Sequence, residues 1–172
     1  VLAAAGPNST ICSGQTVTLS ASGGTTYLWN NGETNSFITI APTSTTTYSV
    51  IVSNGNCSDT AIASVMVNLS PAISLGGNIT ICTGNTATLS ANGGTTYNWS
   101  NGQTSPSIII SPTANTTYTV TGANANGCTA TTLVTVYVIP SITANAGPDG
   151  TICTGSSFEL NASGGSGYSW SS

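Results

Sequence analysis

The stretch TICSGQTVTLSASGGTTYLW begins at Thr10, TICTGNTATLSANGGTTYNW at Thr80 and TICTGSSFELNASGGSGYSW at Thr151. A pattern written three times at a fixed spacing constrains the fold more than any composition, because each copy must fold as the same supersecondary unit. Cys12, Cys82 and Cys153 lie 70 and 71 residues apart, and Trp29, Trp99 and Trp170 share those offsets, as do Tyr27, Tyr97 and Tyr168. In the back half of the unit Tyr48 recurs as Tyr118 and Cys57 as Cys128. The 172 residues therefore divide into a module at 1–69, a second at 70–139 and the first part, about three strands, of a third at 140–172.

Each module reads as strands. In TVTLSAS (16–22) Val17, Leu19 and Ala21 share one face, and Thr18 and Ser20 the other. That is the period of a strand with one wet side. Ala87, Leu89 and Ala91 repeat the inward set, as do Phe158, Leu160 and Ala162. A Gly-Gly turn follows, and Tyr27 and Trp29 then fall on one face with Leu28 outward. Asn31-Gly32 marks another turn. Further along, Ile38 and Ile40, then Tyr48, Val50 and Val52, and finally Ala63, Val65 and Val67 alternate with polar residues. No helical window interrupts the pattern. Seven or so short strands in about 70 residues predict a small antiparallel sandwich. The predicted core aromatics are Tyr27, Trp29, Tyr48, Tyr97, Trp99, Tyr118 and Trp170. Alternation places the tryptophans with the inward set, against the rival reading of exposed platforms that stack on sugar rings.

Charge is nearly absent. There is no Lys, Arg or His, and the only carboxylates are Glu33, Asp59, Asp149 and Glu159. Nucleic-acid binding needs cations to neutralise phosphate, and a polybasic membrane patch needs them too. Ser and Thr have no neighbouring base to activate them. The carboxylates are scattered across modules, so neither an acid/base pair nor a calcium cage is expected. Met66 reads as filler. The sequence thus predicts no enzyme, no catalytic residue, no metal and no cofactor. No apolar run reaches the roughly 18 residues of a membrane helix. A start without Met or a leader reads as a mature segment or an excised fragment.

The pattern TIC-S/T-G…TLSA-GG-TTY-W…NG-T…I-I-PT-TTTY-V…NG-C resembles the tandem immunoglobulin-like or PKD-like repeats of very large Bacteroidota surface proteins. SFITIAPTSTTTYSVIV is similar to the fifth strand, Pro-containing corner and Tyr-led sixth strand of immunoglobulin-like and fibronectin-III-like folds. The resemblance implies an all-β chain of immunoglobulin-like (PKD/fibronectin-III-like) sandwiches in a linear array. It also implies type IX secretion and a role in adhesion, gliding or extracellular scaffolding. Asp59-Thr60-Ala61 is similar to the Asp-Ser/Thr-aliphatic O-glycosylation motif of that phylum, which makes Thr60 a glycan candidate. Sequons at Asn8, Asn56, Asn68, Asn78, Asn98, Asn115 and Asn161 are weaker signals in a chain so rich in Asn, Ser and Thr.

Five cysteines without CxxC or Cys/His pairs argue for disulfides rather than zinc, and hence for an extracellular or cell-surface setting. Two schemes are open. Pairing within modules joins Cys12 to Cys57 and Cys82 to Cys128. Pairing across modules joins Cys12 to Cys128 and leaves Cys153 unpaired in this chain. Cys82 then awaits a third-module partner and Cys57 a preceding module. The second scheme is favoured if residues 31–35 cross the sheet as a short extra strand, because Cys12 and Cys57 then lie at opposite ends of a module. If those residues form only a tight turn, the first scheme returns.

The expected function is a non-catalytic stretch of an extracellular stalk, fibre or adhesin shaft on a bacterial surface. Its partners would be neighbouring modules of the same or identical chains, with surface glycans or other cells as further candidates, and no nucleic acid or membrane insertion. Two alternatives stand beside it: a filament subunit completed by strand donation between chains, or a glycan- or cell-binding adhesin domain using loops 23–26 and 53–56. An ice- or crystal-binding face would need a flat Thr-x-Thr ladder, and the Thr runs here are irregular.

Overall fold

The computed structural model describes residues 1–171. The first module forms β1 (Ala4–Ala5), β2 (Ser9–Cys12), β3 (Val17–Ser22), β4 (Thr26–Trp29), β5 (Phe37–Ile40), β6 (Thr46–Ser53) and β7 (Ser58–Asn68). The second repeats it as β8 (Ser74–Leu75), β9 (Ile79–Cys82), β10 (Ala87–Asn92), β11 (Thr96–Trp99), β12 (Ser107–Ile110), β13 (Thr116–Ala123) and β14 (Thr129–Ile139). In each module a three-stranded sheet, β1-β3-β5 or β8-β10-β12, faces a four-stranded one, β2-β7-β6-β4 or β9-β14-β13-β11. This is an all-β, immunoglobulin-like sandwich, present twice. No helix in the described residues is long and apolar enough to cross a membrane.

The cores follow the alternation. Leu19, Trp29, Ile38, Val50, Val52, Ala63 and Val65 fill the first; Leu89, Trp99, Ile108, Ile110, Val120, Val134 and Val136 fill the second. No residue is common to both cores. Tyr27, Tyr48, Tyr97 and Tyr118 are half-buried and pack against them. The repeated Gly-Gly has a steric cause. Gly23 and Gly93 sit at φ 106° and 94°, and a Cβ there would meet the Leu2 or Ala72 carbonyl oxygen at 1.9 or 2.0 Å.

Two features depart from the expected sandwich. Ser9–Cys12 is a strand whose pairing departs from an all-antiparallel sandwich. It pairs parallel with β7, from Ser9 opposite Val65 to Cys12 opposite Asn68. The other correction concerns residues 31–35, which do not form a strand. The reversal that strand was to make still occurs. β4 is antiparallel to β6, and β6 to β7, so β4 points with β7. β5 is antiparallel to β3, which leaves the turn after β2 in the opposite sense. β4 and β5 therefore point the same way, and the chain doubles back between them as turns. Trp29 N–H donates to Glu33 O at 2.8 Å and Gly32 N–H to Trp29 O at 2.9 Å. Four-residue β4 is short enough for a turn to accomplish the return.

The third unit is not built. Residues 140–171 contain one isolated bridge, Asn145 with Ser163, and no strand. Trp170 is 51% exposed, which corrects its expected place in a core; Phe158 and Leu160 are exposed with it. The cause is the lack of partners. In the complete modules β3 pairs with β5, and β4 with β6. The stretch from 140 to 171 holds no counterpart of β5, β6 or β7. Its local turns form regardless: Ser156 N–H reaches Cys153 O at 3.0 Å, and the Tyr168 hydroxyl donates to Gly165 O.

Candidate functional site

The chemistry of this chain is concentrated where the modules meet. Cys12 ends β2, beside Asn68 at the end of β7. Cys128 sits on the hairpin between β13 and β14. The two are bonded, with Sγ–Sγ 1.99 Å and Cα–Cα 5.6 Å, and Cys128 is buried. The far end of the first sandwich is thus riveted to the near hairpin of the second.

Pairing within the module is ruled out by distance. Cys57 directly precedes Ser58, the first of the 11 residues of β7, while Cys12 lies opposite the last. At about 3.3 Å per residue that separation is roughly 36 Å, against the ~7 Å a disulfide allows between Cα atoms. The geometry comes from the parallel pairing of β2 with β7, which sequence periodicity did not disclose. Cys57, Cys82 and Cys153 are unpaired and exposed among the described residues.

Asn124 shapes the same joint from the side of the second module. Its Oδ1 accepts from Asn126 N–H at 3.0 Å and Cys128 N–H at 3.1 Å, which sets the hairpin. Its Nδ2 donates to the Leu69 carbonyl at 2.8 Å, across the junction. On the other side Ser13 N–H donates to Asn68 O at 2.9 Å and closes the strand ends together.

Other candidate residues stand apart. Trp29 and Trp99 are buried and donate Nε1–H to Asn35 O and Ser105 O, each at 2.9 Å, so no face is free to stack on a sugar. Thr60 is exposed on β7 opposite Ile51. Its neighbour Asp59 accepts from Ala3 N–H at 2.8 Å and from Thr60 N–H at 2.9 Å. Those two bonds, the Ala3 one foremost, hold its carboxyl below the ordinary value. No group of three or more Cys, Asp, Glu or His among the described residues is placed to hold a metal. The gap inside the second sandwich, lined by Leu75, Ile79, Leu89 and Val134, measures about 50 Å³. A ligand pocket is usually about 300 Å³ or more.

Two sequon asparagines have structural work that the sequence did not announce. Asn8 Oδ1 accepts from Ser64 N–H at 2.8 Å, and Asn78 Oδ1 from Thr135 N–H at 2.9 Å. Each anchors the start of the parallel strand. The signal was their recurrence 70 residues apart.

No family model matches the chain, and no curated protein matches it. Among solved structures it is similar to DIP-gamma IG1+IG2, at 11% identity over 77% of this chain and 93% of that one, with TM-score 0.37. Extracellular domains 3–5 of Drosophila OTK match at 12% over 77% of this chain and 59% of that one, TM-score 0.43. The N-terminal eight Ig domains of Down Syndrome Cell Adhesion Molecule match at 16% over 79% of this chain, which spans 23% of that one, TM-score 0.45. Likenesses this distant concern the fold alone, and nothing about ligand or partner is built on them.

Proposed function

We propose that the chain is a non-catalytic stretch of an extracellular stalk, fibre or adhesin shaft on a bacterial surface, with immunoglobulin-like modules as its beads. The observation that carries this reading is the Cys12–Cys128 bond, because it fixes the angle between neighbouring beads and adds nothing to either core. Such a bond requires an oxidising compartment, which supports a place outside the cytoplasm. A chain without Lys or Arg offers trypsin-like proteases no cleavage site, and its sparse fixed charge makes its form insensitive to salt. The module boundaries at 69/70 and 139/140 belong to this reading. They fall where β7 and β14 leave their sheets.

Negative-stain microscopy of the oxidised protein tests it. Thin, straight particles two beads long support a shaft; specific retention on a glycan array would instead support the adhesin-domain reading. Thr60 is part of the proposal as a glycan site, given its exposed position beside Asp59. Intact mass of the natively secreted protein should show added hexose that a Thr60→Ala variant lacks; an unmodified mass removes the site.

A further inference from the structure

We propose that the Cys12–Cys128 bond is a tension bypass: a pull along the chain runs through the disulfide and leaves β3–β13 out of the line of force. This rests on the shaft reading, which supplies the pull. It holds wherever the pull originates, provided one grip lies before Cys12 and the other beyond Cys128. The two cysteines are 116 residues apart in sequence and 5.6 Å apart between Cα atoms. Their bond closes a loop that contains every strand from β3 (Val17–Ser22) to β13 (Thr116–Ala123). Leu19, Trp29, Val50, Leu89, Trp99 and Val120, the bulk of both cores, lie inside that loop. Only β1, β2 and β14 lie outside it.

The three strands left in the path point one way. β2 runs along β7 and ends at the joint, with Cys12 opposite Asn68. The chain turns after Cys12, where Gln15 N–H donates to Cys12 O at 3.0 Å, so β3 heads back. β1 is antiparallel to β3 and therefore points with β2. Beyond the bond, β14 starts directly after Cys128 and runs 11 residues to Ile139. A strand rises about 3.3 Å per residue, and a fully stretched chain reaches at most about 3.6 Å, so β14 has almost no length to give. Its neighbours β13 and β9 belong to the closed loop. A pull enters β14 at one end and leaves at the other, so its hydrogen bonds to those neighbours are not sheared. The rest of the second sandwich rides on a taut strand. Without the bond the same pull would pass through every strand in turn, and each module would open at its own forced-unfolding rate.

The test holds the whole chain between two handles, one at each end, and pulls single molecules until a handle fails. The oxidised chain should give no lengthening step above about 40 Å, the stretched length of residues 1–12. Cys12→Ser and Cys128→Ser should each add the opening of both cores. Either variant should end longer than the parent by roughly 400 Å, the reach of 116 residues at about 3.5 Å each. Folded parent treated with dithiothreitol should match them, with alkylation finding five thiols where the oxidised chain has three. Cys57→Ser should pull like the parent, because Cys57 is not in the bond. The proposal is overturned if the oxidised chain gives the long steps. It is equally overturned if the serine variants and the reduced parent stay as short as the oxidised chain at the same force. The shaft reading is judged separately, by the shape of unloaded particles: straight two-bead particles that lengthen while oxidised would overturn the bypass alone.

Discussion

Trp29 and Trp99 are the largest side chains sealed inside the modules, and each ring also satisfies its one donor on a turn carbonyl. Removing such a ring leaves a cavity and an orphaned carbonyl. Trp29→Ala should cost about 3–5 kcal/mol, a large share of the roughly 5–15 kcal/mol that holds a domain together. It should unfold the first module while leaving the second. Acrylamide quenching separates the three indoles beforehand: Trp29 and Trp99 should resist it and Trp170 should not. Asp59 gives a pH prediction. Backbone donors keep its folded-state pKa below the unfolded one, so its contribution is complete above the unfolded pKa of about 4 and disappears as pH falls through the folded value. Melting curves taken between neutral pH and strong acid should show the parent losing more stability than Asp59→Asn. The second module has Ala130 at the matching position, so its own transition should not respond to that substitution.

At the scale of elements, the parallel strand at the start of each module depends on a side-chain anchor. Asn8→Ala leaves Ser64 N–H without its partner and should cost about 1 kcal/mol, read as a lowered denaturation midpoint of the first module. Asn78→Ala should do the same to the second through Thr135. The longer strands were legible in the sequence because one face is wet: Val17-Leu19-Ala21 and Ala63-Val65-Val67 alternate without a break. Ser9–Cys12 was not, because four residues are too few to display a period and their partner strand lies over 50 residues away. Residues 31–35 were open between a short crossing strand and a tight turn, because the sequence shows only that something lies between β4 and β5; turns there achieve the reversal that the strand was to make. The aromatic positions were read from spacing alone, which holds for Trp29 and Trp99. It fails for Trp170, whose inward direction has meaning only when the opposite sheet exists. The pairing of Cys12 with Cys128 was one of two that the sequence left open, because the parallel pairing of β2 with β7 that decides it was not visible there; the role of Asn124 was not legible, since asparagine is too common here to stand out.

Residues 1–139 are two separately cored sandwiches joined by one covalent bond, one side-chain amide and a short linker. Cys12→Ser should therefore release the angle between them and also lower the melting temperature, because the closed loop restricts the unfolded chain by about 2–4 kcal/mol. Residual dipolar couplings would detect the released angle as two alignment tensors in the variant and one in the oxidised parent. The central claim, two beads locked end to end, is tested most directly by small-angle scattering of the oxidised chain. Two modules each about as long as an 11-residue strand make a rod of roughly 75 Å, for which the radius of gyration is about 23 Å. A single merged globule of this length has about 16 Å. The account predicts the larger value with a two-lobed distance distribution; the smaller value with a single symmetric peak would contradict it.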